Sequence, residues 1–119
     1  MNKEFTGAEK RKYPRAIGRF IVSYRVIPAN SNADISQTKN LSLGGMLLTT
    51  NCQFSVGTNL ALEIRLPFDP DPIKIIANVL ESREISKGII YDTRLNFLAI
   101  DEKHRKVIGD TVNYYLKKG

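Results

Sequence analysis

Between residues 60 and 66 apolar side chains recur at every second position. Leu60, Leu62, Ile64 and Leu66 fall on one face, and Ala61, Glu63 and Arg65 on the other. A period of two belongs to an extended chain with one buried face, and a helix cannot present it. Pro67, Pro70 and Pro72 follow at once. Proline has a fixed φ and no N–H, so 67–72 is a rigid loop that neither a helix nor a central strand could contain. A strand with one dry face needs neighbours whose dry faces meet its own, and that requirement organises the reading of the rest.

The neighbours are legible on both sides. Phe20, Val22, Tyr24 and Val26 alternate with Ile21, Ser23, Arg25 and Ile27 until Pro28, and Asn30-Ser31-Asn32 supplies a turn. A further extended segment runs from about Ala33 to Leu41. Gly44-Gly45 breaks it before the apolar strand Met46 to Thr50. Beyond the proline loop, Ile73 to Ile85 and Ile89 to Ile100 form two more strands around a turn at Lys87-Gly88. The period changes only at the end. With Asp101 as N-cap, Val107, Ile108, Thr111, Val112, Tyr115 and Leu116 recur at helical spacing over about 101–117. Lys117 and Lys118 then suit the negative end of the helix dipole. The expected fold is mainly β: a six-stranded antiparallel barrel with a C-terminal helix.

The chain has 119 residues, a length suited to one domain with one core. Its net charge of +6 is uneven. Lys3, Lys10, Arg11, Lys12, Arg15, Arg19 and Arg25 against Glu4 and Glu9 put +5 in the first 25 residues and leave +1 for the other 94. Residues 1–15 read as a flexible basic arm and 16–119 as the barrel domain. Such local basicity points to one anionic target met at one place, and the near-neutral remainder speaks against a long nucleic acid. The single Cys52 allows no intrachain disulfide or cysteine metal cluster and suits a reducing cytoplasm. No apolar run is long enough to insert into a membrane, and the polar, charged N-terminus with no apolar stretch behind it does not read as a secretory signal.

Groups for catalysis are scarce. His104 falls in the first turn of the helix among Lys103, Arg105 and Lys106, and reads as a solvated helix residue. Cys52 has no base or second ligand near it in sequence and reads as a partly buried, unreactive thiol. Asp69 and Asp71 flank Pro70 and are expected to solvate the loop, far short of the ligand set of a metal site. The expected class is a binding protein with no enzymatic activity, metal or cofactor.

Two clusters stand out instead. In Arg11-Lys12-Tyr13-Pro14-Arg15, Pro14 holds Tyr13 away from helical geometry, so two arginines project from an extended arm. A guanidinium is a planar fork of donors that fits a phosphate or the O6/N7 edge of guanine. In Asn40-Leu41-Ser42-Leu43-Gly44-Gly45, an extended backbone puts Asn40 and Ser42 on one face, with Leu41 and Leu43 turned to the core. The same segment also suits a bulge or a hairpin between two strands.

Arg11 and Arg15 in an Arg-x-x-x-Arg arrangement, followed by Asn40, Ser42 and Gly45 as Asn-x-Ser-x-x-Gly, resemble the PilZ family over most of the chain. The resemblance implies a barrel-plus-helix fold that binds cyclic di-GMP without chemistry on it. Arg11 and Arg15 would clasp guanine edges and phosphates. Asn40, where Asp is commoner, and Ser42 would hydrogen-bond the guanine and its phosphate neighbourhood. Gly45 would leave room for the base. Lys10, Gly44 and Arg83 are secondary ligand-binding candidates, Lys10 as an influence on whether one ligand or an intercalated pair binds. Arg83, or Glu81 before it, is the nearest counterpart of the stacking residue some relatives carry on the penultimate strand. Arg94 stands near a position where many relatives have glycine. Binding would alter the arm and relay a signal to an unidentified downstream protein. The competing readings are a nucleotide-independent protein-interaction module and a single-strand nucleic-acid-binding barrel, although the aromatics Phe20, Tyr24 and Phe97 fall on core positions.

Overall fold

The computed structural model describes residues 14–28, 33–67 and 69–118. Arg11 and Lys10 of the arm and the Asn30–Asn32 turn lie outside the described residues. The elements in chain order are β1 (Ala16–Ile17), β2 (Ile21–Ile27), β3 (Asp34–Leu41), β4 (Gly45–Thr50), β5 (Asn59–Arg65), β6 (Ile73–Ser86), β7 (Ile90–Ile100) and α1 (Glu102–Lys118).

Six of these strands close a ring. The order β3-β2-β5-β6-β7-β4 returns to β3 through the β3–β4 pairing, and every neighbour is antiparallel. Closure removes the free edges that a six-stranded open sheet would expose. The seventh strand was not foreseen. β1 has two residues and lies along the same edge of β3 as β2, with Ala16 opposite Leu41 and Ile17 opposite Asn40. Two residues carry too little periodicity to be read from sequence, and this strand exists because β3 outruns β2.

Thr38 joins β1 to β2. It is fully buried, its hydroxyl donates to the Gly18 carbonyl at 2.7 Å and accepts the Phe20 N–H at 3.1 Å. Gly18 and Phe20, on either side of Arg19, thus have their backbone groups met without a continuous ladder.

The alternation predicts the core correctly. Leu60, Leu62, Ile64 and Leu66 are buried, as are Phe20, Val22 and Tyr24, while Ile21, Glu63 and Arg65 are exposed. Each fully buried Leu or Ile contributes about 1.5–3 kcal/mol of transfer free energy. α1 packs against β1 and the core with Ile108, Thr111 and Val112 buried, and the Phe20 and Tyr115 rings meet edge to face at 5.2 Å. The Asp101 carbonyl accepts the Arg105 N–H at 2.9 Å, so Asp101 occupies the expected N-cap position. Leu116 departs from expectation. It is 43% exposed, while Tyr115 beside it is the one that packs against the core. The β6–β7 hairpin also projects, with residues from Glu84 to Ile90 exposed and Gly88 at φ +71° making the turn.

Candidate functional site

The turn from Ser42 to Gly45 is bonded to itself. The Ser42 hydroxyl accepts the N–H groups of Gly44 and Gly45 and donates to the Gly45 carbonyl, each at 3.2 Å. The Ser42 N–H reaches the same carbonyl at 2.9 Å. A hydroxyl has one donor and two acceptor positions, so all three are in use. Ser42 is 8% exposed. The sequence suggested a hydroxyl open to a ligand; in this conformation it shapes the turn. A Cβ on Gly45 would collide with the Leu95 carbonyl oxygen of β7. The missing side chain therefore serves the close approach of two strands, whatever it also offers a ligand. Gly44 accepts the Phe97 N–H at 2.9 Å, tying the turn to β7 a second time.

Asn40 sits where the β3–β4 register slips, between Thr38 and Asn40. Its Oδ1 accepts the Leu47 N–H at 3.2 Å, so the amide fills a gap that the bulge opens in the ladder. What remains to a ligand is chiefly the Nδ2 donor. On the other side of β3, Ile17 stands opposite Asn40 and Ala16 opposite Leu41, so Arg15 leads into the strand that pairs with the residues just before Ser42. Arg15 is half-buried and precedes β1 directly. The two halves of the sequence pattern, some 25 positions apart in the chain, lie along one edge of the barrel for Arg15; Arg11 lies outside the described residues.

A row of outward positions crosses the sheet through Asn40. Ile17, Asn40, Leu47, Arg94 and Glu81 stand opposite one another on β1, β3, β4, β7 and β6. Ile17 is bare to solvent at 86% exposure, and Asn40, Leu47 and Arg94 are half-buried. Arg94 Nε lies 3.7 Å from Glu81 Oε1, a long, open ion pair. Sequence reading noted Arg94 only as a departure from relatives. Its place in this row follows from the registers of three strands, which no spacing along the chain reveals. Arg83 belongs to the next row, opposite Asp92 and through it Thr49, and is exposed.

A second ion pair on the same face has another character. Lys39 Nζ approaches Asp92 Oδ1 to 2.7 Å, and the Asp92 side chain is nearly buried. Lys39 spans from β3 across β4 to β7 and compensates a carboxylate that water barely reaches, so it is committed to the fold.

A family model for the PilZ domain matches residues 9–114. The chain belongs to the PilZ family. Its PilZ fold is shared by the inhibitor of motility MotI/DgrA of Bacillus subtilis, at TM-score 0.72 and 20% identity, over 91% of this chain and 50% of that one. The PilZ domain of YcgR from Escherichia coli, solved with c-di-GMP, aligns at TM-score 0.67 and 14% identity over 92% and 93%. The MrkH–c-di-GMP complex from K. pneumonia aligns at 0.69 and 18% over 91% and 53%. The PilZ chain thus spans about half the length of MotI and MrkH. Comparison with curated proteins gives no match.

The remaining candidates of this PilZ domain are spread apart. Cys52 is exposed rather than partly buried, since the strand has ended at Thr50; desolvation and, secondarily, Asp34 push its thiol above the ordinary value, which disfavours the reactive thiolate. His104 is half-buried rather than solvated, with Nδ1 closed off and unbonded, because it lies one turn before Ile108 on the packed face of α1. Asp69, expected only to solvate its loop, accepts the Asp71 N–H at 3.0 Å and so helps to shape it. Among the described residues no three His, Cys, Asp or Glu side chains gather as a metal site, and no helix is long and apolar enough to cross a membrane.

Proposed function

We propose that this PilZ domain is a cyclic di-GMP receptor and performs no reaction on its ligand. The observation that carries the reading is the convergence of Arg15 with Ser42 and Asn40 on one barrel edge, in a family whose solved members include a PilZ domain with c-di-GMP bound. Arg15, and with it Arg11 on the arm, supplies guanidinium forks for guanine edges and phosphates. Asn40 adds an Nδ2 donor. Ser42, Gly44 and Gly45 act through the shape of their turn, which presents the backbone at the mouth of the site. Lys10 extends the positive charge of the arm. Arg83, exposed one outward row away, stays a secondary candidate, and Arg94, in the row of Asn40, joins it as a barrel arginine.

Residues 1–15 form the arm and 16–119 the receptor domain. Ligand binding draws the arm against the barrel, and the new arm surface is read by a downstream protein in the cytoplasm. The test of the receptor is a calorimetric titration with cyclic di-GMP, with a random oligonucleotide as competitor. Saturable binding that the oligonucleotide does not displace supports it. Preference for the polymer with a steep salt dependence would favour the single-strand reading instead.

A further inference from the structure

The hairpin of β6 and β7 carries its apolar groups outside and its polar groups within. Ile85, Ile89 and Ile90 are exposed, Ile89 at 64%, and crowd around one turn. Apolar side chains clustered in water mark a contact surface. The polar groups of the turn are bonded to the hairpin itself. The Ser86 carbonyl accepts the Ile89 N–H at 2.9 Å, and the Glu84 carboxylate accepts the Gly88 N–H at 2.9 Å. Pairing of Ser86 with Ile90 carries the ladder to the base of the turn.

Area and charge narrow what such a tip can meet. Three side chains, none of them fully exposed, fall well short of the ~800 Å² per partner of a stable protein interface. A second copy paired antiparallel along β6 about Ile85 would set Arg83 against Lys87, and about Glu84 would set two carboxylates together. Glu84 is engaged with the turn and Glu81 with Arg94. Arg83 and Lys87 are exposed and, among the described residues, have no ion-pair partner. The tip therefore combines apolar bulk, a bonded backbone and a surplus of positive charge.

A lipid surface suits that combination. It needs no matched shape, it penalises backbone groups left without partners, and its anionic headgroups attract cations. From Ile85 and Ile90 to the turn the hairpin rises by two residues, about 7 Å, which is the depth an interfacial element occupies. Arg83 would stand at headgroup level, and the flexible stem of Lys87 lets its ammonium bend back to the same level. Such a tip rests in one leaflet, so the long apolar run that the sequence lacks is not required.

We propose that the β6–β7 hairpin docks this PilZ domain on an anionic membrane surface. Ile85, Ile89 and Ile90 enter the headgroup layer, and Arg83 and Lys87 meet lipid phosphates. The contact is peripheral and reversible. It goes beyond the receptor reading and does not depend on it.

The chain has no tryptophan, so Ile89→Trp places a single emission reporter at the tip. Ile35→Trp does the same at an exposed position of β3, away from the hairpin. Each is titrated, without nucleotide, with vesicles of phosphatidylglycerol and phosphatidylcholine in equal parts and with phosphatidylcholine vesicles. All substituted positions are exposed, so the fold should be kept, and a thermal melt checks it. The expected result is a blue shift and brightening for Ile89→Trp with the anionic vesicles alone, and none for Ile35→Trp. Lys87→Glu and Ile89→Ser, in vesicle flotation, should each weaken binding by about fivefold or more. Unshifted emission in Ile89→Trp would overturn the proposal and leave the hairpin to a protein partner. An equal shift in Ile35→Trp, an equal response to both vesicles, or binding that survives Lys87→Glu and Ile89→Ser would overturn it as well.

Discussion

The turn from Ser42 to Gly45 and the lead-in from Arg15 to Ile17 bring the same sequence pattern to one barrel edge by opposite means. The turn is tied to itself through Ser42 and to β7 through Gly44 and Gly45. The lead-in rests on a two-residue strand, with Thr38 securing the backbone just behind it. A side chain whose polar atoms are consumed by the fold is bound to cost stability when removed. A side chain carried on a two-residue lead-in should cost the barrel less. On the proposed reading, the motif divides into residues that build the site and residues that grip what enters it.

The comparison can be broken at each residue. Gly45→Ala should have the largest effect. The Leu95 carbonyl is backbone and cannot swing aside, so β4 and β7 must part, at about 2–3 kcal/mol. A variant with an unchanged melting temperature but lost affinity would show that the glycine serves the ligand and not the strands. Thr38→Val comes next. It leaves the buried Phe20 N–H without its partner and should cost about 1–3 kcal/mol in denaturant unfolding, loosening the lead-in and weakening binding indirectly. Ser42→Ala should cost about 1 kcal/mol, with weaker binding through a loosened turn. Arg11→Ala is at the other extreme: within about 0.5 kcal/mol of the unsubstituted protein in stability, with affinity down about tenfold or more. A stability loss as large as that of Ser42→Ala would erase the division.

Most of the fold was legible because it rests on local periodicity. The alternations at 20–26 and 60–66 identify buried faces that the barrel confirms, and the proline loop and the Lys87-Gly88 turn mark real boundaries. β1 was invisible because two residues have no period. Leu116 and His104 were misplaced because helical spacing gives the face but not which of its positions pack. The site was legible in part. Asn40, Ser42 and Gly45 were found by type and spacing, yet their internal bonds depend on a bulge and a turn that composition only hints at. Arg94 and Glu81 came up only as counterparts of positions in relatives. Their alignment with Asn40 is a product of strand registers and emerges only once the ring is closed.

The central claim is that the arm's arginines and the barrel edge form one site for a cyclic dinucleotide. It is tested most directly by calorimetric titration of cyclic di-GMP into the unsubstituted protein, Arg11→Ala and Arg15→Ala under one salt condition. The account predicts saturable binding by the first and affinities weaker by about tenfold to a hundredfold in each variant. Unchanged affinity in both variants would contradict it.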